Sequence, residues 1–327
     1  MLDSSSERFL RILSAGGGNA SSVEAATRRD SFKTLLGLAG AAETAPIVVE
    51  DRVVDALSVR VPVRSYRPLR LAGSSEPLPT CVFFHGGGFV AGSIETHDNI
   101  CRSLSHASGW QLVSVGYRLA PEHPYPAPIE DGLAVVGAIM MQPADYRADP
   151  DCIAVAGDSV GAGLAVRICR IVNERVAMRV KLQVLLCPAF DATPRFASRT
   201  TFAHGYSIDA DMIAADFNSF RGRLASVASP LDDGGFADLP PAIVHVAECD
   251  PFRDEGLAFA QKLRSARVPV DATTHAGMLH IFHAFSRFIP QGRAVLQQVG
   301  AQLKQFGAAR SLATRVDESA VIADAHG

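Results

Sequence analysis

Gly157-Asp158-Ser159-Val160-Gly161 follows the apolar, β-prone run Cys152-Ile153-Ala154-Val155-Ala156. It precedes Leu164, Val166, Ile168, Ile171 and Val172, which recur at helical spacing. A strand that ends in G-x-S-x-G and opens at once into a helix makes a sharp elbow with the serine at its tip. The glycines answer a steric demand. So tight a turn strains the serine backbone and leaves no room for side chains two residues either side. The Ser159 hydroxyl then stands above a sheet, beside the amino end of a helix whose dipole favours developing negative charge.

Outward from this elbow, strands and helices alternate. Buried strands are expected at Thr80–Phe84, Leu112–Val115, Leu182–Leu186 and Ala242–Val246, with an extended run from Val268 to Thr274. Helices are expected over 128–141, 164–175, 255–266 and 291–306, the last with Val295, Val299 and Leu303 on one face. Such alternation predicts an α/β fold with a mostly parallel central sheet flanked by helices on both faces. Ile47 to Tyr66 has period two and predicts one half-buried strand, near a sheet edge because it holds Pro62. Gly73 to Pro79 is turn-rich.

The remaining segments frame this core. Residues 1–45 are helical in pattern; Ser21-Ser22-Val23-Glu24 has capping-box spacing ahead of Phe32, Leu35, Leu36 and Leu38. Residues 190–225 interrupt the alternation with an insertion, Asp209 to Phe220 being a helix within it. After Ala308 the periodicity ends, and the tail, 308–327, is expected to fray. The core is therefore assigned to 46–189 and 226–307. No internal repeat is visible.

The chain has 327 residues and a formal net charge of −3. That gives no electrostatic case for nucleic acid or an anionic membrane as partner. No apolar run has the length of a bilayer span, and the N-terminus is acidic and polar where a secretory signal is basic and then apolar. Six scattered cysteines, without a C-x-x-C, read as buried free thiols of a soluble cytoplasmic protein.

Three further stretches carry chemistry. His85-Gly86-Gly87-Gly88-Phe89 directly follows a strand, and its glycines let backbone N–H groups turn toward a ligand, as an oxyanion hole requires. The residue after Ser159, Val160, would donate the remaining N–H. Asp250 stands past the strand 242–247, at the carboxyl end where open α/β sheets build their sites. Its rival Glu248 is less well placed. His280, in Gly277-Met278-Leu279-His280-Ile281-Phe282-His283, lies on a loop after the last strand. His275, beside that strand, and His283, one turn into a helix, suit a mobile base less well. Ser159, Asp250 and His280 thus run in the order Ser…Asp…His. No metal-ligand pattern joins them, and none is needed for acyl transfer, so no cofactor is expected.

These residues carry a resemblance. The sequence is similar to the bacterial hormone-sensitive-lipase-like esterases, the family IV branch of the α/β-hydrolases. The matching stretches are HGGGF (85–89), YRLAPEHPYPAPIED (117–131), GDSVG (157–161), SPL (229–231), DPFRDEG (250–256) and GMLHIF (277–282). The resemblance spans Ser21 to Phe306. It implies the α/β-hydrolase fold with a helical cap formed by 1–45 and 190–225. It implies Ser159 as nucleophile, His280 as general base and Asp250 as its orienting acid. Gly87, Gly88 and Val160 would supply the oxyanion N–H groups. His85 and the Tyr117 to Tyr125 loop would brace the hole, with Gly86 and Asp158 supporting it. Val160 stands where the family more often has Ala, and Phe252 where Leu is commoner.

The implied activity is that of a serine carboxylesterase acting on short-to-medium acyl esters through an acyl-enzyme. An amidase or lactonase would use the same triad. A non-catalytic receptor is the rival of another class: the plant gibberellin receptors resemble this family but lack the histidine that stands here as His280. The expected partner is a small-molecule ester. A homodimer through the unpaired edge of Val270–Thr274, which relatives of this kind often pair, is a further expectation.

Overall fold

The computed structural model describes residues 1–15, 24–40, 46–71, 76–175 and 179–324. Eight strands form one sheet: β1 (Ile47–Ala56), β2 (Val59–Pro68), β3 (Leu78–Phe84), β4 (Gln111–Val115), β5 (Ala148–Asp158), β6 (Leu182–Leu186), β7 (Ala242–Cys249) and β8 (Val270–Leu279). Their order across the sheet is β1-β2-β4-β3-β5-β6-β7-β8. The first two pairings are antiparallel and the other five parallel. From β3 the chain steps to β4 on one side and then crosses to β5 on the other. Such a reversal opens a crevice at the carboxyl ends of the strands.

Helices cover both faces, which is why the central strands are apolar without alternation. On one face lie α4 (Ala127–Met141), α5 (Val160–Arg175) and α8 (Arg253–Ser265). They bury residues such as Ile139, Leu164 and Phe259 against Val82, Val155 and Val244. On the other, α3 (Asp98–Ser108) and α9 (Pro290–Asp324) bury Leu104, Val299 and Leu303 against Phe83, Leu112 and Ala154. Phe9 of α1 (Ser4–Ala15) joins this second core, its ring 4.4 Å from that of Phe285. The six cysteines are all buried and unpaired.

Several elements differ from their sequence expectation. Ile47–Tyr66 is a hairpin, β1 and β2, turning at Leu57 and Ser58 with φ of 50° and 65°. Neither residue is the Gly, Asn or Asp that usually marks such a turn, and a two-residue loop leaves the period-two pattern unbroken. The edge position falls to β1, while Pro62 sits in β2, whose pairing with β4 begins just past it at Val63. Helix α2 (Ala25–Ala39) starts with Glu24 as its cap residue and no side-chain capping bond at that position; Ser21, Ser22 and Val23 of the expected capping box lie outside the described residues. The insertion holds two helices, α6 (Ala197–Thr201) and α7 (Ala210–Arg221). Beyond Ala308, where a frayed tail is expected, α9 continues helically to Asp324. That stretch has no Pro or Gly and holds four Ala, so helix propensity favours it.

Candidate active site

The elbow forms as the sequence predicts. Ser159 joins β5 to α5 with φ of 54°, left-handed backbone for a residue with a side chain. A Cβ at Gly157 would run into the Gly161 backbone, and one at Gly161 into the carbonyls of Phe84 and His85. Only glycine at both positions lets the turn close against β3.

The loops after β5, β7 and β8 then bring three side chains together. His280 Nδ1 lies 2.8 Å from Asp250 Oδ2, and His280 Nε2 lies 2.8 Å from Ser159 Oγ. A carboxylate only accepts, so the proton sits on Nδ1 and leaves Nε2 bare to accept the serine hydroxyl. The other Asp250 oxygen accepts the Phe252 N–H at 2.7 Å, which fixes the carboxylate plane. All three side chains are buried, Ser159 at 7% exposure.

The rivals are occupied elsewhere. Glu248 accepts the Gly277 N–H at 2.7 Å. His275 Nε2 lies 2.8 Å from His245 Nδ1, and His283 Nε2 lies 3.6 Å from Asp158. Cys187, Asp250 and His280 form the one group of three close metal-ligand side chains among the described residues. Two of these already bond each other, and burial pushes the Cys187 thiol well above its ordinary value. The donor set fits a hydrogen-bonded pair beside a neutral thiol, not a metal centre.

Gly87, Gly88 and Val160 line the same cavity as Ser159. Around them a buried scaffold holds the 85–89 loop. Asp158 accepts the Gly86 N–H at 2.8 Å and faces His97 Nε2 at 3.2 Å. Burial opposes its negative charge, but His97 and His283 outweigh that and hold the carboxyl far below the usual range. His85 stacks on Tyr117, rings 4.2 Å apart, and Tyr117 Oη donates to the His85 carbonyl at 2.6 Å. Arg118 binds Asp131 at 2.8 Å, closing the 117–131 loop on itself, and the Ala120 N–H reaches the Phe89 carbonyl at 2.9 Å. His97 and His283 carry no local signature in the sequence. They reach Asp158 only through the fold.

Burial, then the proximity of His97, pushes His85 down to about 3. In the unfolded chain it binds a proton below about 6.5, so stability is present above that value and is lost as pH falls toward the folded one. Lowering pH from 7 to 5.5 therefore costs about 1 kcal/mol from His85 alone. The Asp158 contribution is lost only at lower pH, in the carboxyl range. Burial pushes the Asp216 and Glu255 carboxyls up to about 7 and about 8, which acts in the opposite sense. The His85 share is therefore read as the difference in pH dependence of urea unfolding between the native chain and His85→Asn, and no difference contradicts it.

This fold and site define an α/β-hydrolase. A family model described as the α/β-hydrolase fold (Abhydrolase_3) matches residues 81–284, and the chain belongs to that family. Esterase LipI of Mycobacterium tuberculosis is 34% identical over 247 residues, covering 74% of this chain and 77% of that protein. The ethyl acetate hydrolase of Pseudomonas putida is 32% identical over 254 residues, covering 75% and 78%. Among solved structures, an ester-hydrolase from the metagenome of Lake Arreo, complexed with a bipyridine phosphonate derivative, superposes with a TM-score of 0.88. It is 33% identical and covers 94% of this chain and 100% of its own.

Proposed function

We propose that this chain is a serine carboxylesterase for short-to-medium acyl esters. The observation that carries this is the unbroken Asp250–His280–Ser159 hydrogen-bond chain, 2.8 Å at both links, opening on one cavity. Ser159 Oγ attacks the ester carbonyl as Nε2 of His280 takes its proton. Asp250 holds the tautomer and stabilises the imidazolium. The N–H groups of Gly87, Gly88 and Val160 receive the oxyanion, each worth on the order of 3 kcal/mol. His280 returns the proton to the departing alcohol, leaving an acyl-Ser159 ester. Water, deprotonated by the same histidine, then releases the acid. His85, Gly86 and Asp158 hold the loop that carries these donors. No step calls for a metal or organic cofactor.

Residues of α1, α2 and α7 complete the cavity wall, which supports reading 1–45 and 190–225 as a cap over the 46–189 and 226–307 core. The cavity measures about 230 Å³ and is walled by Leu13, Phe32, Met212 and Phe217 among others. That is below the range of roughly 300–1,000 Å³ for drug-sized ligands, so the acyl group is short. Each buried methylene adds about 0.8 kcal/mol until the chain meets the wall. The optimum therefore falls at about four to eight carbons, the rise being set by that increment. Val160→Ala moves it toward longer or bulkier groups. kcat/KM across p-nitrophenyl esters tests both: an optimum at long fatty chains overturns the first, and an unmoved optimum the second. Matched ester and amide substrates separate esterase from amidase, and better turnover of the amide would reassign the activity.

Assembly and location belong to the same reading. β8 is the free edge opposite β1, with an exposed Asp271 and Thr274. An unpaired edge of this kind supports a homodimer across a two-fold axis. Light scattering that finds only monomer at high protein concentration refutes it. Six buried free thiols support a reducing, cytoplasmic setting, and no helix of the described residues is long and apolar enough to cross a membrane.

A further inference from the structure

One ion pair stands inside the mostly apolar cavity. Arg28 of α2 reaches Asp216 of α7 at 2.6 Å, with side-chain exposures of 18% and 11%. Both residues line the cavity that holds Ser159. The Asp216 carboxylate packs directly on Gly88, where φ is +68° and a Cβ would collide with it. A carboxylate therefore abuts one of the positions that would stabilise an oxyanion. Left uncompensated there, its charge would oppose the charge that develops in the transition state.

The position of Arg28 is fixed from the same side. Its neighbour Arg29 donates from Nε to the Val90 carbonyl at 2.8 Å and from Nη2 to the Ala120 carbonyl at 2.9 Å. Arg29 also pairs with Glu122 at 2.6 Å. Helix α2 is thus tied to the loop that carries Gly87 and Gly88, and the guanidinium of Arg28 is held in register with it. Among the described residues lining the cavity, the charged or titratable side chains are Arg28, Asp216 and His280. Arg28 is the cation paired with Asp216.

We propose that Arg28 is a charge-compensating positioning residue for ester hydrolysis: it neutralises Asp216 where that carboxylate borders the oxyanion site. The inference rests on the esterase reading above. Burial pushes the Asp216 carboxyl up to about 7, against the downward pull of Arg28. Without Arg28 the group stays protonated, and harmless, to higher pH. It then ionises with no partner, and the rate falls. Arg28 removal thereby adds an alkaline loss of activity that the native pair prevents.

The test is the pH profile of kcat/KM for p-nitrophenyl butyrate, corrected for spontaneous hydrolysis, in four proteins. These are the native enzyme, Arg28→Lys, Arg28→Met and the double variant Arg28→Met with Asp216→Asn. Arg28→Met is expected to lose activity with rising pH by roughly tenfold or more relative to the native profile. Arg28→Lys keeps the native profile, because a cation remains. The double variant loses the alkaline limb, because no carboxylate is left to ionise. Thermal unfolding of each protein reports folding separately. A pH-independent loss in Arg28→Met, or an alkaline limb that persists in the double variant, overturns the proposal. An inactive native enzyme would instead refute the esterase reading.

Discussion

Ser159→Ala lowers kcat/KM for p-nitrophenyl butyrate by roughly five to six orders of magnitude, the scale seen when an activated serine is removed. The same substitution abolishes the mass increment left by an organophosphonate. Both effects follow from geometry. The elbow places Oγ at 2.8 Å from a histidine nitrogen whose other nitrogen is bound to a carboxylate. Buried Ser105, by contrast, donates to the carbonyls of Tyr66 and Trp110. Alanine also keeps the fold, since it removes one oxygen at a position whose strain is set by the glycines around it. Residual activity then comes from the oxyanion donors and binding alone. An adduct that persists on another serine would reassign the nucleophile.

What the sequence made legible was what it encodes in short contiguous runs. Ser159, the 85–88 loop, Asp250 and His280 each follow directly on a strand, and a strand end in a parallel sheet has a known face and direction. Features assembled across the fold were not legible. Arg28 and Asp216 are separated by 188 residues, and His97 and Asp158 by 61. Read locally, each is an ordinary polar residue, and only the fold, which brings α2 to α7 and His97 to the elbow, gives it a role. The hairpin escaped for a different reason. Leu57 and Ser58 adopt left-handed backbone without the residue types that advertise it, because pairing along ten registered positions of β1 and β2 outweighs the local cost.

His280→Ala is expected to cost nearly as much as loss of the serine, and Asp250→Asn about four orders of magnitude in turnover. The two losses have distinct causes. Alanine at 280 removes the only base within reach of Oγ among the described residues, since His275 is bonded to His245 and His283 faces Asp158. Asparagine at 250 keeps the shape but offers Nδ1 an amide N–H, which favours the tautomer with its proton on Nε2. That proton points at the serine and blocks its deprotonation. His275→Ala should fall within about tenfold of the native enzyme, because its ring lies on β8, outside the chain of proton transfer. Steady-state kinetics with melting curves on each protein decides the matter. An unchanged rate in His280→Ala, or collapse in His275→Ala with the fold intact, would mean that another histidine is the base.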